Sequence, residues 1–146
     1  NTLVLFNYIE KHGEPLYELI NNSIDSERKV FFVHGGTDVQ DREEVRQLTE
    51  EEDNAVIIAS YGTFSTGINI KRLHNIIFAS PSKSRIRNLQ SIGRVLRKGE
   101  GKTIATLYDI GDDIGGQNYT LKHLNERVNI YLEENFKHET IKVNLR

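Results

Sequence analysis

The sequence predicts an α/β layered fold with a mainly parallel sheet, on three observations. Short β-branched and aromatic runs recur along the chain: TLVLFNYI from residue 2, KVFFVH from 29, NAVIIAS from 54, HNIIFAS from 74 and TIATLYDI from 103. Segments of helical length and polarity alternate with these runs, the pattern of β-α-β units. The loops that follow the runs are rich in Gly, Ser, Thr and Asn, as expected where a parallel sheet presents its carboxyl edge to a ligand.

TLVLFNYI is apolar and aromatic enough for a buried first strand. A helix is expected over residues 14 to 22, because Pro15 suits its first turn and Leu16, Leu19 and Ile20 share one face. KVFFVH is the second strand. After Gly35-Gly36-Thr37, a strongly polar helix is expected from about 38 to 52, with Thr37 and Gln40 spaced as a capping box. NAVIIAS and HNIIFAS are the third and fourth strands. A basic helix is expected over 82 to 98, and TIATLYDI is the fifth strand. The loop GDDIGG then leads to a long amphipathic helix whose apolar positions are Leu121, Leu124, Val128, Tyr131, Leu132 and Phe136. ETIKVNL, residues 139 to 145, is expected as a last strand. There are no internal repeats and no low-complexity tract.

The 146 residues suit one domain with a sizeable core. Hydrophobic residues are 37% and charged residues 27%, ordinary for a globular protein. No apolar run approaches the roughly 20 residues that cross a bilayer, so no membrane partner is expected. There is no cysteine, hence no disulfide and no cysteine-based zinc site, which suits a cytoplasmic setting. His12, His34, His74, His123 and His138 are scattered with no pair at ligand spacing, so no metal site is expected. The chain opens at Asn1, almost directly inside strand-like sequence, and reads as a fragment of something longer.

Net charge is −2, but its distribution is uneven. Residues 38 to 53 carry eight acidic and two basic side chains, whereas residues 83 to 102 carry seven basic and one acidic. Within the basic segment, Gln90, Gly93, Arg94 and Arg97 fall at i, i+3, i+4 and i+7, on one helical face, with Leu89, Ile92 and Leu96 on another. Glycine inside a helix costs roughly 1 kcal/mol relative to alanine, which is reasonable if something must come close to the backbone. Two guanidiniums one turn apart suit an anion with several oxygens. A solvated basic face is the plain alternative. Gly101-Lys102-Thr103 is not a P-loop: the first glycine of G-x-x-x-x-G-K-[ST] would fall on Leu96, and the order of strand and helix is reversed. No Asp-Glu pair ends an apolar strand to hold magnesium. The chain therefore offers arginines for an anion without a nucleotide cradle, half of a site.

QSIGRVLR, residues 90 to 97, resembles motif VI of superfamily 2 helicases, Q-x-x-G-R-x-x-R. STGINI resembles the end of that family's motif V, LVLFNY its motif IV and FVHGGT its segment IVa. The resemblance covers roughly residues 2 to 110 and is to the second RecA-like domain. It implies a three-layer sandwich without its own Walker A motif. Residues 117 to 146, a helix and a last strand, carry no motif.

The resemblance implies that Arg94 and Arg97 reach the γ-phosphate of ATP, which a preceding RecA-like domain of the same chain holds with Mg2+. It implies that Gln90 lies near that phosphate or the attacking water. Gly67, Asn69 and Gly93 are implied to line the ATP site. Asn69 stands where the family often has aspartate near the ribose, and Tyr61 where many relatives have threonine. Asn7, Gly35, Gly36 and Thr37 are implied to track the nucleic-acid backbone, with Ser65 and Thr66 assigned more loosely. The implied function is the C-terminal motor domain of an ATP-dependent DNA helicase that remodels branched DNA or R-loops, the fragment alone being inactive. An RNA helicase, a double-stranded DNA translocase and a non-enzymatic RecA-like binding module are the alternatives.

Overall fold

The computed structural model describes residues 1–65, 70, 72–80, 84, 93, 104–116 and 119–145. Within this set the chain divides into two compact units, Asn1–Ile110 and Gly111–Arg146. The first unit is a five-stranded, wholly parallel sheet. Its strands are β1 (Thr2–Phe6), β2 (Val30–Val33), β3 (Val56–Ser60), β4 (Asn75–Phe78) and β5 (Thr106–Asp109), in the spatial order β2-β3-β1-β4-β5. Among the described residues its helices are α1 (Glu14–Ser23), α2 (Val39–Glu51) and the single turn α3 (Tyr61–Ser65), and Gly93 also has helical backbone. A five-residue π-helical turn, Ile9–Gly13, precedes α1.

Register explains why the strands read as continuous apolar runs rather than alternating ones. Thr2 is opposite Val56 and Asn75, so Val4, Phe6, Val56, Ile58 and Ile77 share one face. Leu3, Leu5, Ile57, Ala59, Ile76 and Phe78 share the other and are 1% exposed or less. Both faces of the central strands are thus buried, the usual state of a parallel sheet covered on both sides. α1 covers the first face: Leu16, Tyr17, Ile20 and Ile24 pack on Val4, Phe6, Val56 and Ile58. Phe32 stacks on Tyr17 and tilts against Phe6, with centroids 5.4 and 5.7 Å apart. Gly13 lets the π-helical turn lie on this layer, because a Cβ there would come within 2.6 Å of the buried Phe6 ring.

Several expected elements differ in detail. α1 keeps Pro15 in its first turn, but Leu19 is 65% exposed and is not part of the core stripe. The N-cap of α2 is Asp38, whose carboxylate accepts from the Gln40 N–H at 2.9 Å. Thr37 is not a capping-box residue: its hydroxyl accepts the His34 N–H instead. α2 displays its charges to solvent, and Arg46 bridges Glu43 and Glu50, both at 2.6 Å. The Arg46 hydrogen bond holds the Glu43 carboxyl below the ordinary glutamate range.

In the second unit, the turn after Gly111 uses left-handed backbone at Gly115 and Gly116, with φ of 74° and 65°. α4 (Tyr119–Glu133) follows. It ends in a Schellman motif: Asn135 is left-handed at φ 57°, the Phe136 N–H donates to Tyr131 O and the Asn135 N–H to Leu132 O. Tyr131 and Phe136 then meet with centroids 6.5 Å apart. Ile130 and Tyr131 are buried, but so is Arg127, and Leu132 is exposed. The expected strand over 139 to 145 does not form. Ile141, Val143 and Leu145 are 73%, 71% and 91% exposed, and no described strand pairs with the segment. A strand without a ladder partner leaves its backbone to water, so alternating sequence alone does not hold it extended in a sheet. Among the described residues, no helix is long and apolar enough to cross a membrane.

Candidate nucleic-acid interface

The carboxyl edge of the sheet is where β1, β2, β3 and β4 deliver their loops. β1 leads toward β2 at one side of the sheet, and β4 leads toward β5 at the other. The chain therefore leaves these two adjacent strands in opposite directions, which makes their carboxyl ends a topological switch point, the usual ligand crevice of an open α/β sheet.

Three polar side chains meet there. Asn7, just past β1, donates from Nδ2 to Ser80 O at 2.9 Å and to Ser80 Oγ at 3.1 Å. Ser80, just past β4, places the same Oγ 2.9 Å from His12 Nδ1 in the π-helical turn. Ser80 Oγ thus links Asn7 on one side to the His12 imidazole on the other. The turn itself is fixed by Tyr8, whose carbonyl accepts from both His12 and Gly13 N–H at 3.0 Å. The Tyr8 ring is 63% exposed and meets His12 edge to face at 5.3 Å.

The second loop, after β2, is a tight turn. Thr37 N–H donates to His34 O, and His34 N–H donates to Thr37 Oγ1, both at 3.0 Å. Gly36 N–H donates to His34 Nδ1 at 3.1 Å, while the His34 ring leans on Phe32. Gly35 and Gly36 are exposed, and a Cβ at Gly35 would meet nothing within 4 Å. The backbone of this turn is open to a close-approaching ligand.

The third loop, after β3, opens with Ser60. Its Oγ accepts the Thr63 N–H at 3.3 Å and lies 2.8 Å from Thr63 Oγ1. Tyr61 is buried and packs on Phe78 with centroids 5.8 Å apart. It serves the core. Ser65 closes α3. Thr66, Gly67 and Asn69 lie outside the described residues, as do Gln90, Arg94 and Arg97 and all but Ser84 and Gly93 of the expected basic helix. Gly93 has helical backbone, is exposed, and has open space where a Cβ would stand.

The structure thus gathers Asn7 and Gly35 to Thr37 on one edge. It also brings Ser80, expected on the same edge from the end of its strand, into contact with Asn7 and with His12, a residue 68 positions from Ser80 that the strand ends did not point to. A groove of about 550 Å³ lies elsewhere, against α1, lined by Leu19, Ile20, Ile24, Val56, Ile77 and Tyr108 among others. It offers apolar surface and little chemistry. Among the described residues no three His, Asp or Glu side chains are grouped to hold a metal ion.

Known proteins agree with this architecture. Residues 1–99 match the family model described as helicase conserved C-terminal domain. The chain is 40% identical to "ATP-dependent DNA helicase uvsW" of Enterobacteria phage T4, over 99% of this chain and 31% of that protein. It therefore spans about a third of that relative's length. In structure it resembles the C-terminal part of the Fun30 ATPase domain, with a TM-score of 0.67 at 20% identity, over 86% of this chain and 38% of that one. It also resembles domain 2 of the DEAD-box helicase Mss116p, solved on an RNA duplex, with a TM-score of 0.64 at 13% identity, over 75% of this chain and 41% of that one. These two likenesses establish the RecA-like fold. With a parallel five-stranded sheet, polar strand-end loops and a family match over residues 1–99, this chain belongs to the helicase conserved C-terminal domain family.

Proposed function

We propose that this chain is the C-terminal motor domain of an ATP-dependent DNA helicase that remodels branched DNA or R-loops. The observation that carries the reading is the QSIGRVLR motif, Gln90 to Arg97, in a chain 40% identical to a protein named a DNA helicase. In this reading, Arg94 and Arg97 project toward a nucleotide held by a preceding RecA-like domain. Gln90 orients the water or the phosphate, and Gly67, Asn69 and Gly93 line the same cleft. The open space at Gly93 supports the fit, since a bulky polyanion can approach the helix there without meeting a side chain.

ATP with Mg2+ supplies the phosphoryl group whose transfer drives the motor. Arg94 and Arg97 stabilise the negative charge that builds on the phosphoryl oxygens, a contribution of about 10³ to 10⁵ in rate for an arginine finger. They act only when the two domains close, so chemistry and domain movement are coupled. The grip on DNA comes from the carboxyl-edge loops at Asn7, Gly35, Gly36 and Thr37, and Ser65 and Thr66 are assigned to the same grip. Such contacts follow the sugar-phosphate backbone and carry little sequence information, which suits stepping along a strand.

The test uses the full-length protein. Arg97→Ala is expected to lower the DNA-stimulated ATPase rate by about 10³-fold or more, with DNA affinity and folding nearly unchanged. Arg85→Ala, in the same basic segment but outside the motif, is the control. Near-normal turnover in both variants would reduce the basic segment to a solvated face and sink the reading.

A further inference from the structure

We infer that Tyr8, braced by His12, is a stacking ledge for an unpaired nucleobase at the β1/β4 switch point. The inference rests on the nucleic-acid reading above and deepens it: the edge would hold a base as well as the backbone.

Tyr8 is a large aromatic side chain left 63% exposed at the edge where the loops converge. Other exposed aromatics have different settings: Tyr108 borders the apolar groove against α1, and Tyr119 belongs to the second unit. The Tyr8 backbone is fixed, because its carbonyl takes two N–H groups of the π-helical turn. The ring is braced on one side. His12 meets it edge to face, and His12 is in turn held by Ser80, which Asn7 clamps from β1. With 63% of Tyr8 exposed beside the His12 contact, most of its surface is open to solvent. A pre-ordered ring costs little entropy on binding, and every base has a π-face, so such a ledge is sequence-tolerant. The chemistry that fits is a base exposed in a single-stranded segment, its phosphates following the loops nearby.

The experiment measures binding of the full-length protein to two fluorescent single strands of equal length and charge, one ordinary DNA and one with an abasic tract. Wild type should bind the ordinary strand more tightly. Tyr8→Ala should weaken binding of the ordinary strand by roughly 5- to 150-fold, the range for losing one stacked base, and leave the abasic strand unaffected. Tyr8→Phe, which keeps the ring, should retain both affinities. Tyr8→Leu, which keeps apolar bulk without a π-face, should behave like Tyr8→Ala. An equal loss on both strands, no loss on either, or full retention in Tyr8→Leu overturns the ledge and leaves the backbone grip standing. Wild type that binds neither strand overturns the nucleic-acid reading, and the ledge with it.

Discussion

Asn1 and Asn7 bracket the same strand, β1, at opposite edges of the sheet. Asn1 is 3% exposed; its amide donates to Thr49 O at 2.7 Å and accepts the Ala55 N–H at 2.9 Å. It ties the end of α2 to the start of β3, with every contact internal. Asn7 is exposed, and its amide reaches across to Ser80 beside His12. One residue type therefore closes the amino edge and furnishes the carboxyl edge. The difference lies in water. A buried amide must be satisfied by the protein and is worth most to stability, whereas water can satisfy an exposed one, which is worth little to stability.

The larger effect should come from the amino edge. Asn1→Ala removes the partner of two buried backbone groups, and stability is expected to fall by about 1–3 kcal/mol for losing that satisfaction. Denaturant unfolding measures it, and DNA affinity of the surviving folded protein should be unchanged. The smaller effect on stability should come from Asn7→Ala, within about 0.5 kcal/mol as for most exposed positions. Its signature is weaker DNA binding at an almost unmoved unfolding midpoint. If Asn7→Ala unfolded the protein as readily as Asn1→Ala, both asparagines would be structural clips and the contrast between the edges would collapse.

The fold was largely legible in the sequence because a parallel sheet buried on both faces needs apolar runs of strand length, and each of the five runs holds a strand. The limits are local. ETIKVNL has the alternation of a strand, but pairing depends on a neighbouring ladder that alternation does not encode. Thr37 and Gln40 have capping-box spacing, yet Asp38 is one residue nearer and its carboxylate is the better acceptor for the first turn. The π-helical turn at Ile9–Gly13 carries no periodic signal, because one turn is too short to have a period. Of the site, the loops at Asn7, at Gly35 to Thr37, at Ser60 and at Ser80 could be placed on one edge from the strand ends alone. The direct Asn7-Ser80-His12 contact could not, since it depends on β4 lying next to β1, a fact of sheet order rather than of local sequence.

The central claim, that the carboxyl edge faces nucleic acid while the amino edge is sealed, is tested most directly by hydrogen exchange of the full-length protein with and without single-stranded DNA. Backbone amides of residues 7 to 13 and 34 to 37 should gain protection on binding. Those at 54 and 55, beside Asn1, should not change. Protection concentrated at the amino edge, with residues 7 to 13 and 34 to 37 unaffected by saturating DNA, would contradict the account.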